Sequence, residues 1–440
     1  MADIRPFRGL RYRDDLARDL GAILAPPYDV IDADEQAALH ERNPYNVIRL
    51  ELGQEGQDGR PQDNRYTRAA ATLSEWRQSG VLAQDERPAF YLYTQEFEHE
   101  GRRRRTALFV RLRLEPWEAG VVRPHEETMA APKEDRLQLM RHLRTEVSPI
   151  FALYRDPEGR IADQLSQGGT PVIDANTPPP AGRQSAGQRH TLSAITDDRA
   201  IEAISASLRD APLYIADGHH RYETALAYRE ERKAQASAWT GEEPENFVLA
   251  ALVAIEDPGL TLLPIHRMVR PPTLAPDLTQ RLTRFFQIED TTPKSYDGTA
   301  LLRLLARLSA SGASGTAIGA LGLEEGRLHL LTLDEPAEAR SLMPSHSAAW
   351  QALDVNVLEY AVLRETLGLD SEASRVIDFT EDAERAMREM ESGRWPLAFL
   401  MNGTRVEQVL AVADAGERMP EKSTFFYPKM ATGLVLYGFD

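Results

Sequence analysis

The residues best suited to chemistry stand together in one short segment, Asp217-Gly218-His219-His220-Arg221. An apolar stretch at 214–216 precedes the segment and a helical pattern follows it, which predicts a buried strand, a tight turn at Gly218 and a helix beginning near His219. The N–H groups at a helix start attract anions, and the cationic side chains would strengthen that attraction. Asp217 is suited to hold a divalent metal or to take a proton from an attacking hydroxyl. The alternative is an Asp-Gly turn in which Asp217 only caps the helix.

A second polar group joins Pro124-His125-Glu126-Glu127-Thr128 to Pro132-Lys133-Glu134-Asp135-Arg136. Phosphoryl transfer needs carboxylates for a metal or a proton and cations for the phosphates. We therefore predict His125 and Glu126 as catalytic residues, Glu126 with Asp217 as metal ligands, and Lys133 as a phosphate ligand. The alternative is a solvated loop that leads into a helix near 135–143.

Lysine is scarce in this chain: there are five lysines among 51 basic residues, and two of them flank a C-terminal motif, Lys422-Ser423-Thr424-Phe425-Phe426-Tyr427-Pro428-Lys429. A compact ammonium is not replaced by a planar guanidinium, so a lysine kept in such a chain is a candidate functional group. The glycines of a nucleotide-binding P-loop are absent before Lys422. We predict that Lys422, Ser423, Thr424 and Lys429 bind phosphate as separate side chains.

Two weaker candidates concern substrate binding. Asp29 ends a rigid Pro26-Pro27-Tyr28-Asp29 turn, where it either reaches a ligand or closes an Asx turn. His266 and Arg267 follow an apolar run and are suited to bind a carboxylate or a phosphate. The residues leave these roles evenly balanced against structural ones.

Composition restricts the class of protein. With 440 residues, 42% hydrophobic, 27% charged and a net charge of −17, the chain is typical of a globular protein whose field repels nucleic acid. The one dense basic run is 102–105. The absence of cysteine excludes disulfides, thiolate metal sites and cysteine nucleophiles. Lacking a signal-peptide pattern or an apolar run of about 18 residues, the chain is expected to be cytoplasmic, with no membrane or nucleic-acid partner. A homodimer is compatible with the sequence.

The elements that must position these residues alternate between strands and helices. Strands are predicted at 45–52, 89–97, 105–114, 213–216, 247–255, 317–323, 328–333, 376–379 and 397–401. Helices are predicted at 65–79, 198–210, from His219, and near 275–286, 298–310, 353–366, 381–392 and 404–412. Residues 157–190 read as a surface excursion. The predicted fold class is α+β, with mixed sheets, hairpins and crossover helices.

The Asp-Gly-His-His-Arg segment is similar to the phosphate-binding turn of the ParB/sulfiredoxin-like fold. In sulfiredoxin the position of His219 holds a reactive cysteine, so that chemistry does not carry over. ParB is a basic DNA clamp, whereas this chain is acidic. The same five residues occur in the free L-serine kinase branch of the fold. That resemblance implies a functional Asp217, with the turn serving nucleotide phosphates.

The whole chain resembles a bacterial and archaeal family carried as a domain of unknown function (number one thousand and fifteen). The motifs that carry this resemblance occur in order along the chain: Ile4 to Tyr12, Ala25 to Ile31, Asn43 to Asn46, Pro124 to Thr128, Pro132 to Arg136, Asp217 to Arg221, Pro264 to Arg267 and Lys422 to Lys429. Met430 stands where this pattern has a second proline. Members look like free-serine kinases.

The resemblance and the residues together predict a kinase that uses ATP or ADP with Mg²⁺ to phosphorylate the hydroxyl of a small amino acid, L-serine first. Alternatives are a ParB-like nucleotide-binding regulator without turnover, and a phosphate-ester hydrolase. The expected domains are 1–255, with a ParB/sulfiredoxin-like core, and 256–440, a second α/β domain whose segment 419–440 folds back to the site.

Overall fold

The computed structural model describes residues 1–13, 16, 20–55, 63–178, 187–293, 299–369 and 376–439. These residues form a mixed α+β fold with several sheets, as the sequence predicted. The chain divides into two compact units. Unit 1 comprises Met1–Pro124, Thr128–Leu260 and Pro428–Asp440, and unit 2 comprises His125–Glu127 and Thr261–Tyr427. The main division in sequence therefore lies a few residues after 255, and each unit includes a short segment that is distant in sequence from the rest of it.

The strands within the described ranges are β1 (Ile4–Arg5), β2 (Leu10–Tyr12), β3 (Leu82–Gln84), β4 (Phe90–Glu98), β5 (Arg102–Arg113), β6 (Val122–Arg123), β7 (Thr145–Glu146), β8 (Ile150–Tyr154), β9 (Thr170–Thr177), β10 (Gln188–Ile195), β11 (Leu213–Asp217), β12 (Phe247–Ala254), β13 (Thr261–Leu263), β14 (His266–Val269), β15 (Phe286–Asp290), β16 (Ala317–Leu321), β17 (Leu328–Leu333), β18 (Ile377–Thr380), β19 (Leu397–Met401), β20 (Phe425–Tyr427) and β21 (Tyr437–Gly438).

The α-helices in the same ranges are α1 (Leu20–Ile23), α2 (Ala33–Arg42), α3 (Ile48–Glu51), α4 (Arg65–Gln78), α5 (Ala130–Leu143), α6 (Arg160–Ser166), α7 (Asp198–Leu208), α8 (His219–Gln235), α9 (Leu278–Leu282), α10 (Ala300–Gly312), α11 (Pro336–Ser341), α12 (Ala348–Gln351), α13 (Asp354–Val357), α14 (Ala383–Glu391) and α15 (Val406–Asp414). Short 3-10 helices cover Tyr28–Val30, Trp117–Ala119 and Pro244–Asn246, and a π-helix covers Leu358–Thr366.

Unit 1 is built on a nine-stranded sheet in the order β6-β11-β8-β12-β5-β4-β10-β9, with β1 also paired to β5. The pairs β6/β11 and β8/β12 are parallel and the other pairs of this sheet are antiparallel. The apolar run of β12 is buried on both faces, and the central strands contribute Leu108, Ala152 and Ile215 to the core. The sheet thus carries β11, the strand that leads into the Asp217 turn.

Unit 2 is built on a six-stranded antiparallel sheet in the order β15-β17-β16-β19-β14-β18. Helix α10 packs its apolar face, including Leu304 and Leu308, against this sheet. A separate two-stranded sheet pairs β13 with β20 of the C-terminal motif.

The strand predicted at 45–52 is wrong, because the structure has α3 there. Asn43 accepts a hydrogen bond from the Tyr45 N–H at 2.8 Å, and Asn46 accepts one from the Ile48 N–H at 2.9 Å. These two turns start a helix in a stretch whose β-branched residues alone favour a strand. The helix also buries Glu51, which is 1% exposed.

The surface excursion predicted at 157–190 is also wrong for most of its length. Helix α6 and strand β9 lie within it, and β10 starts at Gln188 and pairs with both β9 and β4. The Pro-rich part, 179–182, lies outside the described residues. In the part of the chain that the structure describes, no helix is long and apolar enough to cross a membrane.

Candidate active site

The Asp217 segment forms the predicted strand, turn and helix. Asp217 ends β11 and His219 begins the 17-residue α8. Gly218 between them has a φ of 94°, in the left-handed region that glycine adopts without strain. A Cβ at Gly218 would lie 3.1 Å from atoms of the Arg221 guanidinium. The turn therefore favours glycine at this position, and a Cβ there would also displace the Arg221 guanidinium slightly.

The carboxylate of Asp217 lies between two cations. Arg221 Nη2 donates to Asp217 Oδ2 at 2.5 Å, and Lys429 Nζ donates to Asp217 Oδ1. The Asp217 side chain is 11% exposed. It does not cap the helix, because the residue at the cap position is Gly218, which has no side chain to do so. The structure therefore favours the charged cluster over the cap interpretation.

The electrostatics of this cluster keep Asp217 ionised. Burial raises the pKa of a carboxyl, but the nearby charges of Lys429 and Arg221 outweigh it, so the pKa of Asp217 is lowered. Burial opposes the charge of Arg221 as well, yet Asp217 raises its pKa. One carboxylate with two cations leaves a net positive charge at the start of α8, which is the sign that a phosphate group requires.

Arg221 also connects the turn to the rest of unit 1. Its Nη1 donates to the carbonyl of Pro149, and Asp29 is among the charges that raise the pKa of Arg221. Asp29 lies on the 3-10 helix Tyr28–Val30 and its side chain is exposed. The structure thus brings the predicted substrate residue Asp29 into the electrostatic neighbourhood of the Asp217 turn.

A cavity of about 40 Å³ lies beside Arg221. Its lining includes Glu51, Arg136, Glu146 and Thr224. Burial raises the pKa of Glu146 to about 8, although a hydrogen bond from the Leu249 N–H and the charge of Arg221 oppose the rise. A cavity of this volume has room for a few water molecules.

The segment that begins at Thr128 packs on the first turns of α8. Thr128 Oγ1 and Lys133 Nζ both donate to Glu223 Oε2, at 2.6 and 2.9 Å. The Met129 N–H donates to His220 Nε2 at 2.9 Å. Helix α5 begins at Ala130, earlier than the predicted start near 135, so Lys133 lies in its first turn instead of in a loop. The segment 128–133 thus contacts two side chains of α8 that lie one turn apart, His220 and Glu223.

The remaining predicted residues lie in unit 2, where Glu126 organises the start of the C-terminal motif. Glu126 Oε1 accepts a hydrogen bond from the Lys422 N–H at 2.9 Å, and Oε2 accepts one from Thr424 Oγ1 at 3.3 Å. His125 Nε2 lies 2.9 Å from the same Thr424 hydroxyl. Ser423 Oγ donates to the carbonyl of Pro420 at 2.6 Å and is buried. Glu126, His125, Lys422 and Thr424 thus form one hydrogen-bonded group, and Ser423 bonds the backbone beside it.

His266 and Arg267 are buried in unit 2. His266 is 1% exposed, accepts a hydrogen bond from the Met401 N–H at 3.0 Å, and has its pKa lowered by burial to about 4. Arg267 Nη2 donates to the carbonyl of Lys422 at 3.0 Å, and burial lowers its pKa to about 10. Their hydrogen bonds are to the protein backbone, and their role in substrate binding remains a prediction.

The structure places Lys429, one of the predicted phosphate ligands, against the Asp217 carboxylate. The sequence patterns did not identify Glu223, which follows the Asp217 segment on α8 and bonds Thr128 and Lys133. Arg105 had been counted in the basic run, but it is 1% exposed, and Arg102 of the same run bonds Glu96. The signal that could have identified Arg105 as an inward residue is its two-residue spacing from the apolar Ala107 and Phe109 on the same strand.

Within the described ranges, no group of three or more His, Asp or Glu side chains is arranged to hold a metal ion. Mg²⁺ in nucleotide sites is commonly bound by one or two carboxylates together with the phosphates. Asp217 fits that role only in part, because its two oxygens already accept from Lys429 and Arg221.

Several solved structures share limited similarity with the chain. One is described as a free serine kinase in complex with AMP (TM-score 0.33, 12% identity, covering 74% of this chain and 92% of that one). A conserved hypothetical protein from Pyrococcus furiosus has a TM-score of 0.32 and 13% identity, and the match covers 74% of this chain and 95% of that one. SbnI with a C-terminal truncation, from Staphylococcus aureus, has a TM-score of 0.33 and 10% identity, and the match covers 74% of this chain and 86% of that one.

No curated protein matches the sequence. The family model that does match is described as protein of unknown function (DUF1015), and it spans residues 4–356. The match covers most of the chain and includes the Asp217 turn, the 124–136 segment and the Asn43 to Asn46 motif. The chain therefore belongs to the DUF1015 family, as its ordered motifs predicted.

Proposed function

We propose that the chain is a nucleotide-dependent kinase that phosphorylates the hydroxyl of a small amino acid, L-serine being the first candidate. The observation that carries the proposal is the Asp217 cluster: a buried carboxylate held by Lys429 and Arg221 at the glycine-opened start of a long helix. Phosphoryl transfer is catalysed mainly by positioning and by cations around the transferred group, with a carboxylate beside them. The serine substrate comes from the resemblance of residues 217–221 to free L-serine kinases.

In the proposed reaction the substrate oxygen forms a bond to the terminal phosphorus of the nucleotide, and the bond to the bridging oxygen breaks. The hydroxyl proton passes to Asp217, and the nucleotide leaves with one phosphate fewer. Because its pKa is lowered, Asp217 is a weak base that accepts the proton late, as a loose transition state requires. The N–H groups at 218–221, with the side chains of His219, His220 and Arg221, would bind the nucleotide phosphates.

Lys429 and Lys133 supply further positive charge in unit 1. Lys429 already contacts the carboxylate, and Lys133 contacts Glu223 one turn along α8. An ammonium that donates to a phosphoryl oxygen stabilises charge that develops in the transition state. In the alternative role Asp217 would hold Mg²⁺ instead of taking the proton, and Mg²⁺ bound with the nucleotide would neutralise phosphate charge.

The predicted roles of His125, Glu126, Lys422, Ser423 and Thr424 remain part of the proposal. Glu126 accepts hydrogen bonds from the Lys422 N–H and the Thr424 hydroxyl. Replacing Glu126 by glutamine therefore distinguishes a metal or proton role from a role in the fold of unit 2. Loss of turnover with unchanged thermal stability supports a metal or proton role. Loss of stability with normal turnover assigns Glu126 to the fold of unit 2.

The experiment that tests the proposed function incubates the full chain with Mg²⁺, with ATP or ADP, and with single amino acids. The products are quantified by mass spectrometry. Formation of O-phosphoserine together with the shortened nucleotide, in equal amounts, is the expected result. Inorganic phosphate in place of phosphoserine would assign a hydrolase. Nucleotide binding with no product from any hydroxyl amino acid would instead assign the regulator without turnover.

A further inference from the structure

Two fully buried polar side chains face each other across the hairpin of unit 1. Gln95 on β4 and Arg105 on β5 are register partners, and they are 0% and 1% exposed. Arg105 Nη2 donates to Gln95 Oε1 at 2.5 Å. Burying a guanidinium and an amide inside a sheet has a desolvation cost that hydrogen bonds must offset. Their further bonds show where these donors are directed.

Both side chains bind the backbone next to Lys429. Arg105 Nη2 donates to the carbonyl of Pro428 at 2.5 Å, and Gln95 Nε2 donates to the carbonyl of Lys429 at 3.2 Å. Gln95 Nε2 also donates to Gln188 Oε1 at 2.7 Å, which ties the amide to β10. Side chains of one sheet thus hold the consecutive carbonyls of Pro428 and Lys429. The side chain of Lys429 extends from this backbone, and its ammonium contacts Asp217.

We propose that Gln95 and Arg105 are positioning residues for Lys429. They hold the Pro428–Lys429 backbone so that the ammonium meets the Asp217 carboxylate. A lysine side chain has four rotatable bonds and loses much entropy when it is fixed, so a rigid backbone at its root favours one placement of the charge. The catalytic consequence rests on the proposed function, whereas the placement of Lys429 does not.

The test of placement measures the reactivity of Lys429 and needs no catalytic activity. The full chain is acetylated with a limiting amine reagent, and the label on each of its five lysines is quantified by mass spectrometry. Lys429 is 14% exposed and ion-paired, so it should react slowly in the native chain. In Gln95→Met and Arg105→Met its labelling rate should rise by about tenfold, the size of a lost local coupling, while that of Lys233 stays constant.

The matched control is Tyr93→Phe, which removes another buried hydrogen bond of β4, from the Tyr93 hydroxyl to His190 at 2.7 Å. It should leave the labelling of Lys429 at the native rate. Arg105→Lys retains a donor and a charge and should restore part of the protection. If Lys429 reacts at the native rate in a folded Gln95→Met variant, the positioning role is wrong. Gln95→Met keeps the test decisive if Arg105→Met does not fold.

The catalytic consequence is measured with a double-mutant cycle on phosphoserine formation. If Gln95 acts through Lys429, Gln95→Met lowers turnover in the native chain but adds no further loss to Lys429→Met. An equal loss in both backgrounds would show that Gln95 acts on the fold generally and would overturn the catalytic part. If the native chain transfers no phosphate, the proposed function fails, while the labelling result still decides the placement of Lys429.

Discussion

The ammonium of Lys429 and the carboxylate of Asp217 form a buried ion pair between residues that are 212 positions apart in sequence. The pair joins the last residues of the chain to the turn between β11 and α8, within unit 1. Arg221 adds a second cation to the same carboxylate. The proposed chemistry depends on this three-residue cluster.

Asp217→Asn should remove nearly all turnover and leave the chain folded. The amide neither accepts a proton nor neutralises Lys429, and loss of such a group lowers rates by on the order of 10²–10⁴-fold. Turnover and far-UV circular dichroism are the measurements. The control is Asp85→Asn, because Asp85 is also bonded by an arginine, Arg11, and by the Tyr91 hydroxyl. It should lower stability without a comparable loss of turnover. Asp217→Asn turnover within about tenfold of native would reduce Asp217 to a structural residue.

Gly218→Ala should destabilise the chain more than the same change at Gly159. Both glycines precede helices with left-handed φ values, 94° and 67°, but a Cβ at Gly159 would meet nothing within 4 Å. Gly159→Ala therefore measures the backbone strain alone, about 1–2 kcal/mol. Gly218→Ala adds the contact with Arg221 and should also weaken nucleotide binding. Equal losses on urea unfolding, with unchanged nucleotide affinity by calorimetry, would contradict the role given to Gly218.

Glu146→Gln should raise the thermal stability at pH 8 and change it little at pH 5. Burial raises the pKa of Glu146 to about 8 in the folded chain, whereas in the unfolded chain it titrates near 4.5. The folded state therefore holds a proton that the unfolded state releases, and stability falls as the pH rises from about 4.5 toward 8. Glutamine stays neutral over this range, so the variant does not lose stability in this way as the pH rises.

The control for this pH dependence is Glu245→Gln. Glu245 is 6% exposed and forms ion pairs with Arg144 and Arg232, so its replacement should not stabilise the chain at pH 8. The measurement is the midpoint of thermal unfolding from pH 5 to pH 8. Parallel pH profiles for the native chain and Glu146→Gln would show that Glu146 is not the group responsible.

Lys422→Gly should distinguish the contribution of the Lys422 ammonium to turnover from that of the Lys422 backbone to stability. This residue has a left-handed φ of 59°, while its N–H bonds Glu126 and its carbonyl bonds Arg267. Glycine keeps both bonds and relieves the strain, so stability should rise by about 1 kcal/mol. Turnover should fall by about tenfold or more if the ammonium serves a phosphoryl oxygen. Lys422→Ala should show the same turnover without the gain in stability. Native turnover in both variants would assign Lys422 to the fold.

Local periodicity was sufficient to predict much of this fold. The strands β4 and β5 and the long helix α8 were predicted because each has a strong pattern over many residues. Residues 45–52 were misassigned because a short apolar run fits a strand or a helix equally well. There the side chains of Asn43 and Asn46 accept hydrogen bonds from the backbone and stabilise the start of the helix.

The candidate site was predictable where its residues are contiguous. The turn from Asp217 to Arg221 could be found from spacing because one helix start positions all of it. The bonds of Lys429 to Asp217, and of Arg105 to Pro428, join segments that are distant in sequence, and no spacing encodes them. Lysine scarcity identified Lys429 as a candidate but could not say which carboxylate it would meet.

The central claim is that the start of α8 receives the nucleotide phosphates, and a crystal structure of the chain with bound nucleotide tests it most directly. We expect phosphate oxygens within about 3.2 Å of the N–H groups of residues 218–221, with Lys429 Nζ beside the terminal phosphate. Nucleotide bound elsewhere in the chain, with the Asp217 cluster unchanged and its helix start covered by packed side chains, would contradict the account.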